Sequence, residues 1–437
     1  MRTRIALRLL LAAVTAAPVL NGQQQAAPAP TTATQQPLTI STAEPGSDLT
    51  VYLLTFGWGD AVWERFGHNA IWIKDRAHNT DLTYNWGMFD FNQPHFIWRF
   101  VTGDTRYWME PIDLQAMVRY YRQFNRSILA QELNLTPAQR VKLQQYVTMN
   151  ALPQNKFYRY DYYRDNCSTR LRDALDHALG GQLQTSTVSR MTQGTYRWHT
   201  QRLMTGDLPL YTGVTLALGR PADKPLSMWE EMFLPVRMAN DLRTVTVADS
   251  IGNQSPLVRS ESTLFIAGRA PEPATAPGYL PIFVAIGIIY AAVLVILVRS
   301  AEGGGKGSLF GATLLATLWS LIAGIGGLAL IFAWFFTSHH FMGRNENLMQ
   351  FDPLSIALVV MVPLAMYTVR AHSRTVTLAG WIAAISLFGC VAQGIPFFYQ
   401  KNGEIIALAL PINLAVWWTV YRLSTYRRTS LPSSAAL

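Results

Sequence analysis

The chain is short of charge, of cysteine and of the common cofactor motifs, and each shortage narrows its class. Only 14% of its 437 residues are Asp, Glu, Lys or Arg, against about 25% in an ordinary soluble protein. The deficit is uneven: residues 48–269 have a mixed composition, whereas long stretches beyond Tyr279 carry no charge. A simple cytosolic enzyme is excluded. There are two cysteines, Cys167 in the mixed half and Cys390 in an apolar stretch. They are not expected to pair, and a disulfide scaffold is excluded. No HExxH or CxxC spacing, Walker loop or dinucleotide-type glycine pattern occurs, so neither a metal site nor a cofactor is expected. The basic balance, 36 Lys+Arg over 27 Asp+Glu, is carried by single arginines, several at the ends of apolar stretches, so nucleic acid is not expected as a partner.

What is present is the layout of an exported membrane protein. Arg2, Arg4 and Arg8 precede the apolar stretch Leu9–Leu20, which reads as a signal peptide over residues 1–22, with an uncleaved anchor as the alternative. Residues 23–47, rich in Ala, Pro, Thr and Gln, read as a flexible spacer. Residues 48–269 form the mixed unit and 270–278 a Pro-containing linker. The membrane unit, 279–422, holds five uncharged runs, 279–298, 308–336, 353–369, 375–399 and 405–421, and 423–437 is a tail. Each run has at least 17 residues, within the range of a membrane-crossing helix. With residues 48–269 outside, the connections on the inner side carry Arg299, Lys306, Arg370, Arg374, Arg422, Arg427 and Arg428, and the outer ones only Arg344 and Lys401. That bias places the C-terminus inside.

Within 48–269 the pattern is α+β. Strands are expected at Val51–Phe56, His68–Lys74 and Leu82–Trp86, with late ones at Thr244–Val247 and Leu264–Ala267. Helices are expected at Gly59–Phe66, Asp113–Phe124 and Pro137–Leu152, the last capped by Thr136. The chemistry concentrates in Tyr162–Leu179. Leu171, Ala174, Leu175 and Ala178 follow Cys167 at helical spacing, which predicts a helix starting near Cys167, with Asp165 or Asn166 as its cap. A thiol at a helix start meets free N–H groups, here those of Cys167 and Ser168, which favour a thiolate and can hold an oxyanion. Among His68, His78, His95, His177 and His199, the ring of His177 is ten residues along the same helix and out of reach. His68, opening a strand directly after Gly67, is the candidate base. Taken singly, Cys167 also reads as an inert packed thiol and His68 as a structural histidine.

The segments FGHNAIWI around His68, YNWGMFDF at Tyr84–Phe91 and RDNCSTRLRDAL around Cys167 resemble the periplasmic domain of Lnb-type bacterial membrane proteins. The likeness spans about residues 51–243, and the multi-span tail fits the same layout. The order His before Cys is also similar to the circularly permuted papain-like enzymes of the lecithin:retinol acyltransferase class. The resemblance implies an α+β permuted papain-like periplasmic domain followed by an all-α five-helix transmembrane domain in a bacterial inner membrane. It implies Cys167 as nucleophile, His68 as general base and a third polar group orienting the histidine: Asn85, with Asp81 and Asp90 as rivals. It further implies a lipoprotein N-acyltransferase, with a phospholipid as acyl donor and the N-terminal diacylglyceryl-cysteine of a lipoprotein as acceptor. The outer loop Thr337–Asp352 carries His339, His340, Arg344, Asn345 and Asn347, which would bind a lipid headgroup or close the site, or form a solvated loop. Two other readings stand beside this one: a periplasmic cysteine amidase or endopeptidase acting on cell-wall peptide, and a non-catalytic membrane assembly factor.

Overall fold

Alternating apolar residues build the central sheet. The computed structural model describes residues 44–430 except 250 and 368, so the expected signal peptide and most of the spacer lie outside the described residues. β1 (Leu49–Phe56) and β2 (His68–Asp75) pair antiparallel from Leu49↔Asp75 to Phe56↔His68. The remaining strands are β3 (Thr80–Met88), β4 (Arg106–Asp113), β5 (Ile128–Leu133), β6 (Phe157–Arg159), β7 (Met191–Thr195), β8 (Pro225–Ser227), β9 (Thr246–Ala248), β10 (Gln254–Pro256) and β11 (Val258–Phe265). Seven of them form one antiparallel sheet in the order β11-β5-β1-β2-β3-β4-β6. The pleat sends Leu53, Ile71, Ile73, Tyr84 and Trp86 to one face and Leu54, Phe56 and Ala70 to the other.

Helices cover both faces. In chain order they are α1 (Phe96–Thr102), α2 (Leu114–Gln123), α3 (Pro137–Ala151), α4 (Cys167–Ala178), α5 (Gln182–Thr187), α6 (Tyr196–Leu203), α7 (Leu208–Ala217), α8 (Met228–Glu231) and α9 (Pro235–Leu242). On the first face lie Leu143 and Val147 of α3, Leu171 and Leu175 of α4, and Met238 and Leu242 of α9. On the second lie Leu114, Met117 and Tyr121 of α2. Thr136 caps α3, accepting from the Gln139 amide at 3.3 Å. One expected helix is absent: Gly59–Phe66 forms only the 3₁₀ turn Val62–Glu64. Val62 and Trp63 face outward there while Phe66 packs inward, so the spaced apolar residues do not share one buried helical face. The expected strand Leu264–Ala267 is the end of the longer β11, which pairs with β5.

The helical half comprises α10 (Leu280–Glu302), α11 (Lys306–Phe335), α12 (Ser355–Tyr367), α13 (Val369–Val391) and α14 (Gly403–Ser430). Among the described residues four helical stretches are long and apolar enough to cross a membrane, belonging to α10, α11, α13 and α14. The third expected run holds α12, described from Ser355 to Tyr367 next to residue 368, which lies outside the described residues. In the fourth, α13 is helical through Arg370 and Arg374 and ends at Val391, so these two arginines lie in the helix rather than in a loop, and Cys390 sits next to its end rather than at mid-span. Gly394 and Pro396 stop it while Ile395, Phe397 and Phe398 remain apolar, which is why the hydrophobic run overshoots. Gly287 of α10 lies directly against the backbone carbonyls of Ala407 and Leu408, the close helix approach that a small residue permits.

The sheet half is bonded to one end of these helices. Tyr211 of α7 donates to Glu404 at 2.8 Å, the Ser338 amide to the Thr102 carbonyl at 2.8 Å, and Arg220 pairs with Glu346 at 3.3 Å. At the opposite end Arg422 pairs with Glu302 at 2.8 Å.

Candidate active site

The helix start at Cys167 follows from its cap. The side chain of Asn166 accepts from the amides of Ser168 and Thr169, both at 2.9 Å, so Asn166, not Asp165, closes the first turn; Asp165 instead pairs with Arg170. Cys167 is buried, at 8% exposure. Its sulfur meets the backbone N–H groups of Asn69, Ser168 and Cys167 itself. Asn69 is the residue after His68, so the helix tip and the start of β2 meet at the thiol.

His68 and Asn85 come from the opposite sheet face, beside α2. The His68 ring stacks on Phe56 at 5.7 Å and on Tyr121 at 6.2 Å, and its Nε2 lies 3.3 Å from Asn85 Oδ1. Asn85 is fully buried, and its amide nitrogen donates to the Thr83 carbonyl at 3.0 Å and hydroxyl at 3.1 Å. Its oxygen therefore faces the imidazole, which assigns the proton to Nε2 and leaves Nδ1 with a free lone pair. Gly87, two residues after Asn85 on β3, lies against the start of the Cys167 helix. β3 bulges between Asn85 and Met88, Gly87 has φ +93, and a Cβ there would stand 3.3 Å from Cys167 Cβ. Only a residue without a side chain lets the thiol come this close to the strand end.

Burial governs the electrostatics. It pulls His68 from 6.5 to about 4, helped by the charge of Arg126 and opposed by the Asn85 hydrogen bond, so the imidazole is neutral at pH 7. Burial also pushes the Cys167 thiol up, against the three amides and Arg126. The helix start was expected to favour a thiolate; desolvation outweighs it here, and at rest Cys167 is a thiol and His68 a neutral imidazole, with no hydrogen bond between the two side chains. Arg126 is itself buried, donates to the Gly57 carbonyl at 2.8 Å, pairs with Glu64 at 3.2 Å and lies 4.7 Å over the Tyr121 ring.

The other expected residues are dispersed. Asp81 accepts from Trp72 at 2.9 Å near the other end of β2, and Asp90 holds its own turn through the Asn92 amide at 2.8 Å. The Ser168 hydroxyl is buried and donates to the Met232 carbonyl at 2.6 Å, so only its backbone faces the sulfur. His339 bonds the Phe100 carbonyl at 3.0 Å. Asn345 and Asn347 are buried and spend their amides on carbonyls at the end of α7, at 2.8–3.2 Å. Those two latch the loop to the sheet half. His340 and Arg344 remain exposed. His199 forms a separate buried pair with Glu231 at 2.8 Å. Among the described residues no three His, Cys, Asp or Glu side chains gather as a metal-holding group. Asn69, Gly87 and Arg126 were not singled out from the sequence; a glycine inside a strand pattern is a signal for the bulge, whereas Arg126 leaves no local mark.

Two family models match the chain: the Lnb N-terminal periplasmic domain over residues 41–204 and the Lnb transmembrane domain over residues 279–424. No curated protein and no solved structure matches. In chain order the first match covers the sheet half from β1 to α6, with Cys167 and His68, and the second covers the helical half. The chain belongs to the Lnb-type family, a membrane protein with a periplasmic N-terminal domain and a C-terminal membrane domain.

Proposed function

We propose that the protein is a thiol acyltransferase that moves a fatty acyl chain from a phospholipid, through a thioester on Cys167, to the N-terminal amine of a lipoprotein cysteine. The observation that carries the reading is the convergence of the Cys167 sulfur with the amide next to His68, while Asn85 orients the imidazole. Family membership supports acyl transfer with lipid and lipoprotein substrates.

As the sulfur attacks the ester carbonyl, Nδ1 of His68 takes the thiol proton, and the neutral pair needs no prior ionisation. The carbonyl oxygen becomes an oxyanion, which the backbone N–H groups at the helix tip are placed to stabilise. Collapse breaks the ester C–O bond, His68 returns the proton to the departing alkoxide, and a lysophospholipid leaves. The α-amine of the diacylglyceryl-cysteine then attacks the thioester. His68 takes a proton from that nitrogen, the C–S bond breaks, and His68 passes the proton to the departing sulfur, which restores the thiol and leaves the acyl chain in an amide. Asn85 stays hydrogen-bonded to Nε2 throughout and supports the imidazolium as a neutral dipole. The setting fits a bacterial inner membrane with the C-terminus in the cytoplasm, which puts this site at the outer leaflet.

The test is the full chain in phospholipid vesicles with a diacylglyceryl-cysteine peptide. An acyl adduct on Cys167 and an N-acylated peptide are expected, both lost in Cys167→Ala, with His68→Ala slowing transfer by about 10²–10⁴-fold. Unchanged acylation in Cys167→Ala removes the reading, and cleavage of cell-wall peptide without lipid replaces it with the amidase.

A further inference from the structure

α1 is a seven-residue helix, FIWRFVT, with no buried residue. Ile97, Trp98 and Phe100 are 63%, 62% and 56% exposed, an apolar face that nothing among the described residues covers. Its position says what does. The Trp98 ring is 6.3 Å from Phe332 in the last turns of the membrane helix α11, and Thr102 and Phe100 accept hydrogen bonds from Ser338 and His339, just beyond that helix. Phe335 and Phe336, at the same end, are 65% and 69% exposed. The face of α1 therefore continues the lipid-facing surface of α11 at the level where that helix leaves the bilayer.

From α1 a row of rings leads inward. Phe96 lies 6.3 Å from Phe100 and 6.2 Å from Phe89, Phe89 lies 5.1 Å from Tyr107, and Tyr107 stacks on Tyr160 at 4.2 Å. Tyr160 and Cys167 are the two neighbours that a Cβ on Gly87 would meet, at 4.0 and 3.3 Å. The row ends at the thiol.

We propose that α1 rests in the outer leaflet and that the rings Phe100, Phe96, Phe89, Tyr107 and Tyr160 line the path along which one lipid acyl chain reaches Cys167. The contact with lipid stands on the geometry alone; its use for transfer rests on the acyltransferase reading. The ring faces are apolar, matching an alkyl chain rather than a polar headgroup, and they exclude water from the thioester; Phe91 and Trp63 flank the outer end of the row at Phe89.

The test uses the full chain in nanodiscs containing a phospholipid with a photoreactive diazirine near the end of one acyl chain. Mass spectrometry is expected to find adducts on residues 96–102 and on Phe89 or Tyr107, besides those on the membrane helices. Adducts confined to residues 280–430 overturn the proposal. Ile97→Glu/Phe100→Glu changes only exposed positions. It is expected to cut the adducts on 89–107 at least tenfold and to raise the KM for vesicle phospholipid with kcat retained; an unchanged KM overturns the path. The two readings fail separately. Thioester formation without adducts in 89–107 removes the path alone, and adducts without any thioester leave the path and remove the transfer.

Discussion

At the scale of single residues, the charge state of the pair is decided by desolvation. His68 sits between Phe56 and Tyr121 with a buried guanidinium nearby, and its pKa falls to about 4. Cys167, although it meets three amide N–H groups, is pushed above its ordinary value because burial outweighs them. An imidazole that stays neutral to about pH 4 keeps its lone pair throughout the neutral and mildly acidic range, which suits the proposed base. The pH profile of kcat/KM is therefore expected to be level from about pH 8 to pH 5, with its acid limb well below the ordinary histidine value near 6.5. A limb at pH 6–7 would contradict the buried neutral imidazole. Stability moves in the same direction. Unfolded His68 titrates near 6.5 and folded His68 near 4, so the unfolded chain binds the proton more readily in that window. Stability is full above pH 6.5 and declines as pH falls toward 4.

At the scale of elements, the site is the meeting of one helix tip with one bulged strand. α4 begins at Cys167 because Asn166 caps it, and Asn85 reaches His68 because β3 pairs with β2 from Ile71↔Tyr84 to Asp75↔Thr80. The bulge at Trp86–Gly87 re-aims the strand end next to the thiol. Gly87→Ala would place a methyl 3.3 Å from Cys167 Cβ at a backbone φ of +93, a strain of about 1–3 kcal/mol. The expected outcome is a melting temperature lower by a few degrees and an acylation rate lower by at least tenfold, read on the same preparation. Wild-type rate in Gly87→Ala would show that the close approach is not needed.

For the molecule as a whole, the sheet half and the membrane helices act together through a polar seam. Arg220 pairs with Glu346, whose side chain is nearly inaccessible; Tyr211 bonds Glu404; and Asn345 and Asn347 hold the end of α7. Removing one partner of a buried ion pair leaves the other uncompensated, at a cost of about 3–5 kcal/mol. Arg220→Ala is expected to lower the thermal midpoint of the full chain and to slow transfer from vesicle phospholipid more than thioester formation from a short soluble ester. Equal losses on both substrates would mean that the seam does not position the site over lipid.

The sequence by itself determined what depends on near neighbours. The apolar runs, the helix starting at Cys167 and the strand opening at His68 are all set by periodicity and capping within a few residues of each position. The likeness to a known family joined His68 to Cys167 and pointed to Asn85. Only the tertiary structure decided the rest. Asn85 over Asp81 and Asp90 is a matter of strand register, and the end of α13 at Val391 depends on where the chain stops being helical within an apolar run. The commitment of Asn345 and Asn347 to carbonyls of α7, and the arrival of Arg126 beside the pair, arise between segments far apart in the chain. The protonation of Cys167 and His68 belongs to the same class, because water is removed from both groups by residues from every layer of the fold, and no local pattern records that removal.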